Sequence, residues 1–365
     1  MLQRLALLLF LLPSTLLATA KPVIYIWDLS ELDSLRRLPS SGAYRSYLQR
    51  ADRAIQKGLV AVTDKAKTLS GDKHNYESLS VYWWPDPKNP NGPYIARDGE
   101  YNPEYKLYDY PRLQQLVDNI RSCAKAYYLS GDLKYYTFVC QQLDTWFINA
   151  QTRMNPDFSY CQFIPGRNGG RGNPQGMADV YNFNEIIEGV RLTNSVKSVG
   201  RSRMRGLKKW FGAFANWMQT SDYGKTASNF KNGQTLTYDT TLYDFMLFTG
   251  KKSARKAIFN HFYEKRISKQ IEDDGKMPEA LRRTCAYRYS LTNLQRFLDF
   301  WAITQADGRQ LPQEGIDLIT KALTYVGKFQ GNRSAFPYSE IGEWEPLEKQ
   351  LVKLQAQFRR LSKAP

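Results

Sequence analysis

Apolar residues recur at helical spacing over most of the chain. Leu113, Leu116, Val117, Ile120, Cys123, Ala124 and Tyr127 share one face, and Ser130-Gly131-Asp132 then breaks the run. Leu133, Tyr136, Cys140, Leu143 and Phe147 repeat the pattern, as do Phe183 to Val190, Met204 to Met218, and Leu242 to Met246 before Gly250. A further helix is predicted over 253–271, stopping at Asp273-Asp274-Gly275; Leu294 to Trp301, Ile316 to Val326 and 345–361 mark three more. Ahead of these lie a strand-like lead, Val23 to Trp27, and a predicted helix over 43–58. Helix, tight Gly or Asp turn, helix recurs at Gly131, Gly250 and Asp307-Gly308. Hairpins joined in this way stack side by side. The expected fold is mainly α: an α/α toroid, an incomplete barrel of antiparallel helical hairpins with long irregular loops at one mouth.

Three polar stretches interrupt the helices. The longest, Gly71 to Glu104, reads GDKHNYESLSVYWWPDPKNPNGPYIARDGEYNPE; its prolines forbid a helix interior and neither helical nor alternating period survives. An irregular segment of this length inside a folded domain usually lines or covers a site. Its aromatic faces beside cations suit a sugar acid, offering a flat apolar platform for the ring and positive charge for the carboxylate. Lys73, Tyr76, Tyr82, Trp83 and Trp84 are its candidate substrate contacts. The second stretch, Asn155 to Asn173, holds Pro165-Gly166-Arg167-Asn168-Gly169-Gly170-Arg171-Gly172, with Arg167 and Arg171 as candidates. The third pairs Lys231 to Asp239 with Met277 to Leu291, where Arg282, Arg283 and Arg288 surround Tyr287 and Tyr289; Asn232, Tyr238 and Arg288 join the candidate contacts.

Charge and targeting narrow the partners. Residues 1–20 read as a signal peptide, with Arg4, an apolar run from Leu5 to Leu12, and Ala18-Thr19-Ala20 before Lys21. Residues 21–365 are then one exported domain, periplasmic or secreted, without a membrane span. A net charge of +16 points to a polyanion. No nucleic-acid-binding motif is present, so an anionic polysaccharide or oligosaccharide is the expected substrate. The only histidines are His74 and His261, and no Cys-x-x-Cys occurs, so neither a metal nor any other cofactor is expected. Cys123 and Cys140 lie on apolar faces of adjacent predicted helices, open to pairing or to burial as free thiols.

From Val62 to Leu298 the chain resembles the alginate lyase family of polysaccharide lyases. The resemblance rests on GDKHNYESLSVYWWPDP with NGPYIARDGEYNPE, on PGRNGGRG (165–172), and on TLYDFMLFTG followed by RISKQIEDDGKMPEALRRTCAYRYSLTNL. It implies β-elimination on a uronate polymer such as alginate: a base takes the C5 proton, the C4 oxygen leaves, and an unsaturated sugar results. The family Tyr, acid and often base, matches Tyr289, and its Arg matches Arg282 or Arg283. Flanking guanidiniums are expected to favour the Tyr289 phenolate.

One motif departs from the family. Its Asn-Asn-His-Gly-x-Trp-Tyr-Asp is here Asn232-Gly233-Gln234-Thr235-Leu236-Thr237-Tyr238-Asp239. Gln234 donates a hydrogen bond but takes no proton. Either Tyr289 carries both proton transfers, with Gln234, Asn232 and arginines as neutralisers, or His74 supplies the base, or binding survives without catalysis. A glycoside hydrolase is a third class, needing paired carboxylates among residues such as Asp86, Glu104 and Glu279.

Overall fold

Helices begin and end where the sequence supplies caps. Residues 23–363 are described in a computed structural model, and the expected signal peptide, residues 1–20, lies outside them. Asp28 accepts from the amides of Ser30 and Glu31 at the start of α1 (Leu29–Arg36), and Ser41 Oγ from Tyr44 N at that of α2 (Gly42–Lys57). α3 (Tyr110–Ser130) ends on Gly131 at φ 72°, whose amide returns to Tyr127 O, and Asp132 at once caps α4 (Leu133–Leu143). This is the hairpin predicted at Ser130-Gly131-Asp132. The chain continues through α5 (Asn182–Val196), α6 (Arg201–Thr220), α7 (Asp222–Ala227) and α8 (Gln234–Thr249). It then passes through α9 (Lys252–Phe262), α10 (Ser268–Gln270), α11 (Pro278–Leu281), α12 (Ala286–Ala306), α13 (Gln313–Gly327) and α14 (Trp344–Leu361). The single helix predicted over 253–271 is thus interrupted, by a wide π turn at Tyr263–Ile267.

α3, α5, α8 and α12 pack in succession, with α2 and α4 against α3, α6 and α9 against α8, and α13 and α14 against α12. The result is an α/α toroid. α8 carries no apolar stripe because every residue from Thr235 to Met246 is buried. Its polar side chains find internal partners: Thr241 Oγ1 meets Asn184 Oδ1 at 2.7 Å, and Asp239 Oδ2 receives Arg266 Nε at 2.7 Å. On its α5–α6 side, Phe183, Trp210, Phe211, Phe214 and Phe245 interlock edge to face and by stacking. A seam is left between α14 and the α1–α2 hairpin, and Arg360 Nη1 of α14 crosses it to Asp28 Oδ2 at the start of α1 at 2.5 Å.

Two sequence expectations change here. Val23 to Trp27 forms no strand; the amides of Tyr25, Ile26 and Trp27 converge on Glu188 Oε1, a fully buried carboxylate of α5. Thr235 to Asp239 is the buried start of α8 and not an open polar segment. The little strand present, β1 (Glu77–Leu79) parallel to β4 (Tyr160–Phe163) and β2 (Trp83–Trp84) antiparallel to β3 (Ile95–Ala96), lies in the irregular stretches. All four cysteines are buried free thiols, Cys123 and Cys140 included. Among the described residues no helix is long and apolar enough to cross a membrane.

Candidate active site

The irregular stretches meet at the amino-terminal end of α12. Trp83 and Trp84 are held by their pairing with Ile95 and Ala96, so the prolines of the first stretch flank a short hairpin. Tyr94 N donates to Pro165 O at 3.1 Å, and Gly166 approaches Pro93 so closely that a Cβ would lie 2.6 Å from its Cα. Arg167 stacks over Trp83 at 4.7 Å, and Arg97 covers Trp84 at 5.0 Å. The first two stretches therefore form one aromatic and cationic wall.

The same hairpin reaches the third stretch through Asp98 and Tyr82. Asp98 grips Arg283 through both carboxylate oxygens and also accepts from Thr284 N and Oγ1. These donors hold its carboxyl down at about 2, the Arg283 hydrogen bonds first. Arg283 lies 4.5 Å from the Tyr289 ring centroid, with Nη2 3.3 Å from the phenol oxygen. The Tyr289 and Tyr82 hydroxyls stand 2.8 Å apart. Gly99, at φ 81°, makes this junction possible, since a Cβ there would sit 2.6 Å from Thr284 Oγ1.

Arg283 lowers the Tyr289 pKa as expected, but the net shift is upward. Burial raises it above the ordinary value of 10.0, and the Tyr82 hydrogen bond and Arg283 offset that only in part. Tyr82 is raised further, by burial and then by the charge that would form on Tyr289. If one phenol of the pair ionises, it is Tyr289.

The remaining candidates divide. Arg282 turns outward onto Glu279, leaving Arg283 as the arginine on the phenol. Gln234 lines up with the α8 amino terminus, its Nε2 3.4 Å from Gln175 O and its amide on Asn232 Oδ1 at 3.0 Å. Tyr76 was expected to touch substrate but is 1% exposed, stacked on Phe158 at 4.9 Å. Tyr238 is likewise a core residue, donating to Met218 O at 2.8 Å. The Arg288 guanidinium packs on Gly342, away from the phenol pair. His74 contacts Asp72, Arg153 and Asn155; its Nδ1 lies 2.6 Å from Arg153 O, which fixes the proton on that nitrogen. Lys73 and Arg171 are exposed, near the start of the first stretch and the end of the second. Asp86, Glu104 and Glu279 are engaged with Lys88 N, Tyr94 Oη and Arg282 respectively, and form no carboxylate pair.

Two residues escaped the sequence reading. Asp98 stands inside the quoted loop, but nothing local announces its partner 185 positions away. Asn293 is four residues after Tyr289, hence on the same face of α12. Its side chain occupies the space beside Gly233, where a Cβ would come 1.8 Å from Asn293 Oδ1.

Residues 61–336 match the alginate lyase family profile. The chain belongs to the alginate lyase family. A solved alginate lyase from Bacteroides ovatus is 34% identical, with 94% of this chain and 96% of that chain covered and a TM-score of 0.85. Alginate lyase A1-III from Sphingomonas species A1 shares the fold at 14% identity and a TM-score of 0.52, over 87% of each chain. Among curated proteins none matches. In this member of the alginate lyase family, Asn293 of α12 occupies the space that Gly233, lacking a side chain, leaves at the start of α8.

Proposed function

We propose that this protein is an exported lyase that cleaves a uronate-containing anionic polysaccharide, alginate or a similar polymer, by β-elimination. The carrying observation is the Tyr82–Tyr289 hydroxyl pair beside an Asp98-anchored Arg283, under the Trp83 and Arg167 wall. In this reading the wall seats the sugar ring and cations draw the acidic chain into the cleft. Asn293, Gln234 and Asn232 donate amide hydrogens to the substrate carboxylate, dispersing the charge that develops as C5 loses its proton. The Tyr289 phenolate, stabilised by the Tyr82 hydroxyl and Arg283, takes that proton. The C5–H electron pair becomes the C4–C5 double bond, the C4–O bond breaks, and Tyr289 returns the proton to the departing O4. Gln234 has no part in proton transfer. Arg283 is kept from drifting by Asp98 and stays cationic throughout.

One feature favours a second reading, binding without cleavage: Gln234 holds the position of the family histidine, and its amide is already engaged with Gln175 O. A panel of uronate polymers (alginate blocks, glucuronan, glycosaminoglycans) separates the two. Cleavage by elimination gives rising ultraviolet absorbance from the unsaturated product on at least one polymer. Retardation on a polyanion gel with neither absorbance nor new reducing ends supports the binding reading. New reducing ends without absorbance would mean hydrolysis and defeat both.

A further inference from the structure

A cavity of about 780 Å³ lies at the open seam of the toroid, between α1–α3 on one side and α12 and α14 on the other. That volume is in the range of small-molecule sites, about 300–1,000 Å³. It is not the cleft described above. Gln295 and Asp299 reach it from α12, and Asp299 lies roughly 15 Å of helix rise beyond Tyr289 on a different face.

Lys125 is partly buried in its wall, with Nζ 4.4 Å from the Trp27 ring centroid and 5.9 Å from that of Tyr47. Among the described residues no carboxylate lies within 4.0 Å of this ammonium, and none within 4.0 Å of Arg50, Arg53, Lys57 or Lys353 on the rim. The carboxylates in the wall are engaged elsewhere. Asp28 pairs with Arg360, Glu31 accepts from Tyr47, Asp118 pairs with Arg121, Glu185 accepts from Trp27 Nε1, and Asp299 accepts from Tyr181 and Gln357. A desolvated ammonium resting on aromatic faces is only partly compensated. An anion entering the cavity would complete it.

A second observation selects the kind of anion. Asn119, 1% exposed and in the same wall, has no donor for its Oδ1 among the described residues. Its Nδ2 already donates to Gly58 O and Gln142 Oε1, which fixes the orientation of the amide. The site therefore lacks a negative charge, and its wall holds a carbonyl oxygen without a donor. An acidic sugar brings the two together, whereas a fully ionised inorganic anion brings only charge.

We propose that the seam cavity is a second, non-catalytic binding site for a uronic-acid saccharide of one or two units. The ligand class is the one the lyase reading supplies; the site itself rests on Lys125, Asn119 and the unpaired rim cations.

Calorimetric titration of the full chain with a saturated uronic-acid disaccharide tests this, because that probe need not be turned over. Two binding events are expected. Lys125→Met should weaken one at least tenfold and leave the other, which Arg283→Ala should remove instead. Should Lys125→Met fold poorly, Arg53→Ser with Lys57→Ser on the exposed rim carries the same expectation. Cellobiose, uncharged, should not compete at the seam, and inorganic phosphate should compete weakly. A single event insensitive to both seam variants overturns the proposal, as does equal binding of cellobiose or full displacement by phosphate. Absence of any lyase activity would leave this binding readout intact, so the two readings fail separately.

Discussion

Asp98 and Arg283 are 185 positions apart, yet Arg283 Nε lies 3.1 Å from each Asp98 carboxylate oxygen. This clamp joins the double-Trp hairpin to the helix that carries Tyr289. Asp98→Asn should leave the fold intact but let the guanidinium drift from the phenol. Misplacement of a reacting group by about 1 Å can cost on the order of 10²-fold in rate. A fall in kcat of that order, with KM nearly unchanged, is expected from steady-state kinetics.

The same pair governs the pH profile. Burial places the Tyr289 pKa above the ordinary 10.0, so the phenolate fraction, and with it the rate, should rise with pH through the alkaline range. Arg283 lowers this pKa and Asp98 raises it. Arg283→Met should therefore move the rising limb to higher pH, and so should Asp98→Asn, which frees the guanidinium, because Arg283 is the larger of the two influences. Limbs that stay in place in both variants would remove Tyr289 as the titrating base.

Gly99 tests the junction from the backbone side. Its φ of 81° and the 2.6 Å approach of a Cβ to Thr284 Oγ1 leave alanine no strain-free arrangement. Gly99→Ala should destabilise the protein by about 1–3 kcal/mol and lower activity more than stability alone explains. Chemical denaturation alongside kinetics measures both.

Away from the cleft, Glu188 ties the lead segment to α5. Burial pushes its carboxyl up to about 7, against Arg191 and the amides of Tyr25 and Trp27. A folded-state pKa raised above the unfolded one means the native protein holds the proton more tightly. The contribution is full below the unfolded value near 4.5 and is lost as pH rises through about 7. The Tm difference between wild type and Glu188→Gln should accordingly shift against the wild type over that window. Asp179, raised to about 6 by burial, adds to the same trend in both proteins. A difference that shifts in favour of the wild type instead would mean Glu188 is held as a carboxylate.

The helices were legible because their apolar faces repeat and their ends carry Gly131, Gly250 and Asp132. α8 was harder. A helix buried on every side has no stripe, and its threonines and aspartates read as an open polar segment until Asn184 and Arg266 are seen to satisfy them. The lead failed for the opposite reason: β-branched residues suggested a strand, but a buried carboxylate captured its amides. Tyr289, Arg283, Trp83 and Arg167, which the structure brings together, were picked out as candidates from residue type and motif. Tyr76 and Tyr238 were not separable from them by type, since burial is set by tertiary packing. Asn293 was within reach of helical spacing alone; the missing clue was that Gly233 leaves its space empty.

In the proposed elimination the phenol of Tyr289 moves the proton. On whichever polymer yields the unsaturated product, initial absorbance rates for wild type, Tyr289→Phe and Tyr82→Phe test it most directly. General acid–base catalysis contributes about 10²–10⁴-fold. Tyr289→Phe should lose at least that much in kcat while still binding the polymer, and Tyr82→Phe should lose less. Near-wild-type turnover by Tyr289→Phe would exclude this phenol from proton transfer.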